Sequence, residues 1–275
     1  MINETRKLLN GIEMPVLGLG VYKMTDPNEA IQAIEHAIKV GYRAIDTASL
    51  YMNEEQVGEA VRASGVSREE LFITTKVWNS DQGYDETLRA FEKSLKKLDL
   101  DYVDLYLTHW PVEETFIDTY RAIERLYEEK LIRVPGVSNH HQHHLQSIFT
   151  KSNIQPMVNQ VELHPYLSQE ALRAFCEQHQ IAVTAWSPLG RGNVLDDSVI
   201  QAIAKAHGKS TAQIILRWHY QNNILTIPKS VTFSRIEENG TIEDFVLSAE
   251  EMQMLNGLNK NQRYGKDPDN FHFDF

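Results

Sequence analysis

The chain has 275 residues, 42% of them hydrophobic and 24% charged, with 27 basic and 38 acidic side chains and a formal charge of −11. That apolar content supports a sizeable core and argues against intrinsic disorder, and the negative balance argues against broad binding to nucleic-acid phosphates. One cysteine, Cys176, excludes an intramolecular disulfide framework and a thiolate-rich zinc site, and it fits a reducing compartment.

The first ten residues, MINETRKLLN, hold no apolar run of signal-peptide length. No stretch approaches the roughly 20 apolar residues that span a bilayer, so the expectation is a cytoplasmic protein without a membrane partner. Asn10-Gly11 between short apolar runs predicts an N-terminal hairpin with those two residues at its turn. Apolar segments then alternate with helical patterns. Strands are expected at 16–20, 43–46, 71–77, 103–108, 132–138, 157–161, 182–186 and 224–227. Helices are expected at 27–40, 54–64, 84–98, 115–129, 142–150, 168–179, 196–207, 210–221 and 233–239. Eight strand–helix units without a long linker fit one (β/α)8 barrel over 1–275, an α/β fold with a short hairpin before it and an irregular tail from Tyr264 onward. A doubly wound open sheet is the alternative, but Gly18-Leu19-Gly20 lacks the third glycine of a dinucleotide turn. Pro135 falls inside a strand, where it removes a ladder donor and predicts a bulge.

Barrel active sites form at the C-terminal ends of the strands. The chemically capable residues there are Asp46, with Tyr51 just after it, then Lys76, His109, Ser138-Asn139, Gln160, Trp186-Ser187 and Lys229-Ser230. Four of them have a joint logic. A free tyrosine, with a pKa of about 10, is a poor proton donor near neutrality. Lys76 is expected to stabilise the phenolate of Tyr51 and lower that value, Asp46 to keep the lysine charged, and His109 to orient a substrate carbonyl. Taken singly, each also has an ordinary structural role, as an ion pair or a packed ring.

At this point the chain resembles the aldo-keto reductase superfamily. The segments that carry the resemblance are GYRAIDTASLYMNEEQVG (41–58), LFITTKVW (71–78), DYVDLYLTHWP (101–111), GVSN (136–139), VNQVELHP (158–165), AWSPLG (185–190) and IPKSVTFSRIEEN (227–239). They occur in family order over nearly the whole chain and look most similar to bacterial reductases of 2,5-diketogluconate and of methylglyoxal or glyoxal. The resemblance implies a barrel that binds NADPH without a Rossmann domain. It makes Tyr51 the general acid, with Lys76 and Asp46 tuning it and His109 positioning the carbonyl. It assigns Ser138, Asn139 and Gln160 to the nicotinamide carboxamide and Trp186 to stacking on the nicotinamide ring. Lys229, Ser230 and Arg235 match contacts to the adenosine 2′-phosphate, and Glu238 and Asn239 match adenine contacts. Gly20, Val21, Tyr22, Ser187, Leu189 and Val231 complete the implied cofactor set. Tyr22, Trp78, His109 and Trp110 are the implied substrate contacts, with Phe271 or Phe273 of the tail folding over the rim beside them.

The chain departs from the family pattern at 130–135, KLIRVP, and at the run His140-His141-Gln142-His143-His144, where the family has Phe at position 140. His140 and His144 have an i, i+4 spacing able to bind a transition metal on a helix, but no carboxylate stands close by in sequence, and no metal is expected. Glu162, His164 and Cys176 read as structural. The expected activity is NADPH-dependent reduction of small aldehydes and dicarbonyls by a monomer whose partners are small-molecule carbonyl substrates, not nucleic acid. A 2,5-diketogluconate reductase and a non-catalytic NADP(H)-sensing subunit are the alternatives.

Overall fold

The computed structural model describes residues 3–273. It begins with an antiparallel hairpin of β1 (Thr5–Lys7) and β2 (Glu13–Pro15). The turn differs from the expected two-residue form. The Gly11 N–H bonds the Leu8 carbonyl at 2.9 Å, so Leu9 and Asn10 are its central residues, and Gly11, at φ 84°, takes the left-handed position behind them. Asn10 Nδ2 instead donates to the Arg133 carbonyl at 2.9 Å. Leu8 and Met14 cluster with Ala44, Phe72, Val134 and Val158 from the strand beginnings, so the hairpin covers the lower end of the sheet.

Eight parallel strands follow: β3 (Gly18–Gly20), β4 (Ala44–Asp46), β5 (Phe72–Val77), β6 (Val103–Thr108), β7 (Ile132–Ser138), β8 (Val158–Glu162), β9 (Ala182–Trp186) and β10 (Leu225–Thr226). They pair in chain order, and β10 returns to the first through a parallel bridge between Leu17 and Thr226. The seam is thin. It rests on the Thr226 N–H to the Val16 carbonyl at 3.0 Å and the Gly20 N–H to the Pro228 carbonyl at 3.2 Å. The architecture is the (β/α)8 barrel expected from the alternation of elements. Pro135 makes no bulge on the β6 side, where Leu105↔Val134, Tyr106↔Pro135 and Leu107↔Gly136 keep one register. Pairing with β8 starts only at Gly136↔Val158, so the missing proline donor lies outside that ladder.

The helices are α1 (Pro27–Lys39), α2 (Glu54–Ala63), α3 (Tyr84–Leu98), α4 (Phe116–Glu128), α5 (Gln142–Lys151), α6 (Glu170–Gln178), α7 (Ser198–His207), α8 (Thr211–Gln221), α9 (Phe233–Gly240) and α10 (Ala249–Asn256). Side-chain caps start several of them. Asp26 accepts from the Glu29 N–H, Asp197 from the Val199 and Ile200 N–H groups, and Ser210 from the Gln213 N–H. Helix α10 is an addition to the expected set. Its signal was the capping box of Ser248 and Glu251, which stands before a segment with only one buried residue, Leu255, and so with little apolar periodicity. No helix among the described residues is long and apolar enough to cross a membrane.

The seam generates a prediction. A Cβ on Gly20 would lie 2.7 Å from the Ile227 carbonyl oxygen, inside van der Waals contact with backbone. Gly20→Ala is expected to destabilise the protein by about 1–3 kcal/mol, the usual range for overpacking. Urea denaturation checks this, and an unchanged midpoint would show that the seam yields freely.

Candidate active site

Period-two alternation decides which strand residues face the barrel interior. Ala44 joins the inner apolar cluster while Ile45 joins the layer under the helices, and this turns Asp46 inward. By the same parity Phe72 leads to Lys76, Leu105 and Leu107 lead to His109, Val134 leads to Ser138, Val158 leads to Gln160, and Ala182 leads to Trp186. Residues from six strands therefore meet in one layer at the upper end.

Lys76 lies at the centre, fully buried. Its ammonium donates to Asp46 Oδ1 at 2.5 Å and to the Thr47 carbonyl at 2.8 Å. Gln160 Nε2 donates to the other Asp46 oxygen at 2.7 Å, so the carboxylate bridges β5 and β8. Burial lowers the Lys76 pKa, and the charge and hydrogen bond of Asp46 oppose that shift. Tyr51 lies in the short turn after β4, with the Lys76 ammonium 5.1 Å from its ring centroid. The His109 ring meets it edge-on at 5.7 Å.

The protonation of the tyrosine corrects the expectation from sequence. Burial, with the charge of Asp46 second, holds the Tyr51 hydroxyl well above its ordinary value of 10.0 rather than below it. The physical reason is that the phenolate would lose hydration and stand near the Asp46 carboxylate. Burial and then Lys76 push His109 well below 6.5, so its imidazole is neutral.

The residues expected around a nicotinamide form one network. Asn139, in the left-handed region at φ 62°, donates its backbone N–H to the Gln160 carbonyl at 2.9 Å and its side-chain amide to the His109 carbonyl at 3.0 Å. Its Oδ1 accepts from Trp186 Nε1 at 2.8 Å, which sets the orientation of that half-buried ring. Ser138 Oγ donates to the Gln160 carbonyl at 2.8 Å. Gly20 and Val21 are buried at the seam, and Ser187 and Leu189 line the turn after β9. Beyond β10, Ser230 is buried and Val231 half-buried, whereas Lys229 and, on α9, Arg235 are exposed and have no ion-pair partner among the described residues. Asn239 is buried, and the Glu238 carboxylate accepts from Ser210 Oγ at 2.5 Å.

The expected substrate contacts form an aromatic wall. Tyr22 lies 4.9 Å from Tyr51, and Trp78 lies 5.0 Å from His109, ring centre to ring centre. The tail crosses this wall. Phe273 contacts Trp78 at 5.1 Å and Trp110 at 5.2 Å, and Phe271 contacts Trp110 at 5.1 Å. What anchors the tail is Glu162, fully buried, which accepts from the Tyr264 and Gly265 N–H groups at 2.6 and 3.0 Å and contacts His164 Nε2 at 3.1 Å. Gly265 is required there, because a Cβ would fall 2.3 Å from Trp186 Cη2.

Sequence reasoning missed Asn53. Its amide donates to the Val21 and Met24 carbonyls at 2.9 and 3.3 Å and so holds the loop that carries Tyr22. Its position before α2 resembles an ordinary helix cap, but it makes no cap bond. The His140–His144 pairing does not form on a helix. His140 precedes α5, is fully buried, and points Nδ1 at the Ser138 carbonyl at 2.8 Å.

Residues 16–260 match the Aldo/keto reductase family. A glyoxal reductase of Bacillus subtilis (strain 168) is 54% identical over 272 residues, which cover 99% of each chain. A 9,11-endoperoxide prostaglandin H2 reductase of Trypanosoma cruzi (strain CL Brener) is 54% identical over 96% of this chain and 94% of its own. The structure of a Gox0644 variant in complex with NADPH is 42% identical over 98% of both chains, with a TM-score of 0.93.

The neutral His109 has a measurable consequence. The folded chain does not take up the proton that an unfolded histidine binds below 6.5, so stability falls as pH drops through 6.5 toward the lowered native value. His109→Asn removes that uptake. The slope of unfolding free energy between pH 5 and 6 is expected to lessen by up to about 1.4 kcal/mol per pH unit, and parallel slopes for the two proteins would show that His109 is charged in the fold.

Proposed function

The chain belongs to the aldo/keto reductase family, and we propose that it reduces small aldehydes and dicarbonyls of the glyoxal and methylglyoxal type to alcohols, with NADPH as the hydride donor. The observation that carries this reading is the buried Lys76–Asp46 pair beside the ring of Tyr51, which His109 meets edge-on. When bound, the reduced nicotinamide supplies hydride to the carbonyl carbon.

Trp186, Asn139, Ser138 and Gln160 suit the nicotinamide end. The tryptophan offers a π face, and its tilt is set by the bond to Asn139. Gln160 donates its amide to Asp46, and its Oε1 has no hydrogen-bond donor among the described residues, which leaves it as an acceptor for a carboxamide N–H. At the other end, the exposed cations Lys229 and Arg235, without an ion-pair partner among the described residues, stand near buried Ser230 in sequence and suit a phosphate dianion, which favours NADPH over NADH.

At the reacting oxygen the residues divide the work. Neutral His109 offers an N–H to the carbonyl oxygen without carrying charge. Tyr51 keeps its proton until negative charge develops on that oxygen, then donates it. The Lys76 ammonium, held in place by Asp46, stabilises the phenolate that remains. Water then returns a proton to the Tyr51 phenolate. Trp78, Trp110, Phe271 and Phe273 make an apolar aromatic wall, which favours a small carbonyl over a polyhydroxylated keto acid.

Two outcomes test this reading. Tyr51→Phe is expected to lower carbonyl reduction by roughly 100- to 10,000-fold while NADPH still quenches protein fluorescence, and near-normal turnover would remove Tyr51 from the acid role. Lys229→Ala combined with Arg235→Ala is expected to weaken NADPH binding by at least about tenfold and NADH binding little, since charge-assisted bonds to phosphate are lost. Equal weakening of both cofactors, measured by fluorescence titration, would contradict the phosphate assignment.

A further inference from the structure

The tail that carries Phe271 and Phe273 is held at its start by Glu162 and further along by a second group of side chains. At the N-terminus of α5, three imidazoles turn toward one carboxylate of the tail. Asp269 lies 2.9 Å from His141 Nδ1, 3.1 Å from His143 Nε2 and 3.7 Å from His144 Nε2. The four donor atoms all lie within 4.8 Å of one another. Asp269 supplies from the far end of the chain the carboxylate that the local sequence lacked.

We propose that His141, His143 and Asp269 bind a divalent transition ion, zinc foremost, and that the ion staples the tail over the aromatic wall. The second half of this inference rests on the reading of Trp78 and Trp110 as walls of the substrate pocket. Imidazole and carboxylate suit such an ion, and donors around tetrahedral zinc sit about 3.4 Å apart, with Zn–N of about 2.1 Å. His141 Nδ1 already lies near that spacing from Oδ2 of Asp269, and His143 Nε2 from its Oδ1. The wider separations close by rotation of His143 and Asp269, which are 61% and 49% exposed.

The neighbouring hydrogen bonds define what binding changes. His141 Nε2 now faces Arg263 Nη2 at 3.0 Å, and His144 Nδ1 accepts from the His141 N–H at 3.1 Å. Coordination through His141 Nδ1 moves that ring's proton to Nε2, so Arg263 must leave it. Asp267 stands 3.4 Å from the same guanidinium and receives it. His143 binds through Nε2 and keeps its proton on Nδ1, so neither imidazole loses a net proton. His144 stays with the helix cap, and water takes the fourth position. The site lies outside the reaction proposed above, in which no metal takes part. Its effect is on the tail, because Asp269 stands two residues from Phe271 and four from Phe273.

The test uses the metal-free full chain and zinc chloride. Calorimetric titration is expected to give one zinc per chain. His143→Ala and Asp269→Asn are each expected to weaken binding at least about tenfold, with circular dichroism unchanged. In the wild type, zinc is expected to slow backbone hydrogen exchange across 264–273, and this slowing is expected to be lost in both variants. Binding of equal strength in all three proteins, or binding that leaves exchange of the tail unaltered, would overturn the proposal. Neither readout uses turnover, so failure of the reductase reading and failure of this one are separable.

Discussion

A lysine with no solvent exposure needs a countercharge, and much of the upper barrel is arranged around that need. Removing an ammonium from water costs several kcal/mol unless an anion and hydrogen bonds replace the lost hydration. Asp46, the Thr47 carbonyl and, through Asp46, Gln160 provide them around Lys76. Three strands are thereby tied across the interior at one level. Burial keeps the Tyr51 phenol protonated and the His109 imidazole neutral, with the charges of Asp46 and Lys76 as the respective second causes. Desolvation, with the Asp46 charge second, is why the tyrosine pKa is raised near a lysine.

The same layer continues through Gln160 to Asn139 and Trp186 and through Glu162 to the tail. The residues proposed for proton transfer, cofactor and substrate are therefore mechanically linked. A shift of Trp186 would press on Gly265, where no room remains for a Cβ, and a shift of the tail would move the phenylalanines against Trp78 and Trp110. The lower end of the barrel has a different task. The hairpin residues Leu8 and Met14 and the apolar strand beginnings exclude water there, which leaves polar chemistry to the other rim.

Much of this was legible before the coordinates. Short apolar strands alternating with amphipathic helices specify a covered parallel sheet, because each strand must be buried on both faces. The parity of Asp46 with Ala44, of Lys76 with Phe72 and of Gln160 with Val158 already determines that their side chains share the interior. Local pattern was a poorer guide where two signals compete. The Asn10-Gly11 pair reads as a two-residue turn, but Asn10 is drawn into a bond with the Arg133 carbonyl, 123 residues away in sequence. Helix α10 buries so little of itself that its capping box was the only strong sign of it.

By itself the sequence determined the barrel, the order of its strands and the identity of the residues at their upper ends, since these follow from periodicity and from residue chemistry along the chain. Tertiary structure alone decided the protonation of Tyr51, the latch on Glu162, the role of Asn53 and the meeting of Asp269 with three histidines. Each of these depends on burial or on contacts between distant segments. Desolvation and long-range hydrogen bonds arise only when the barrel closes, so no local pattern of residues encodes them.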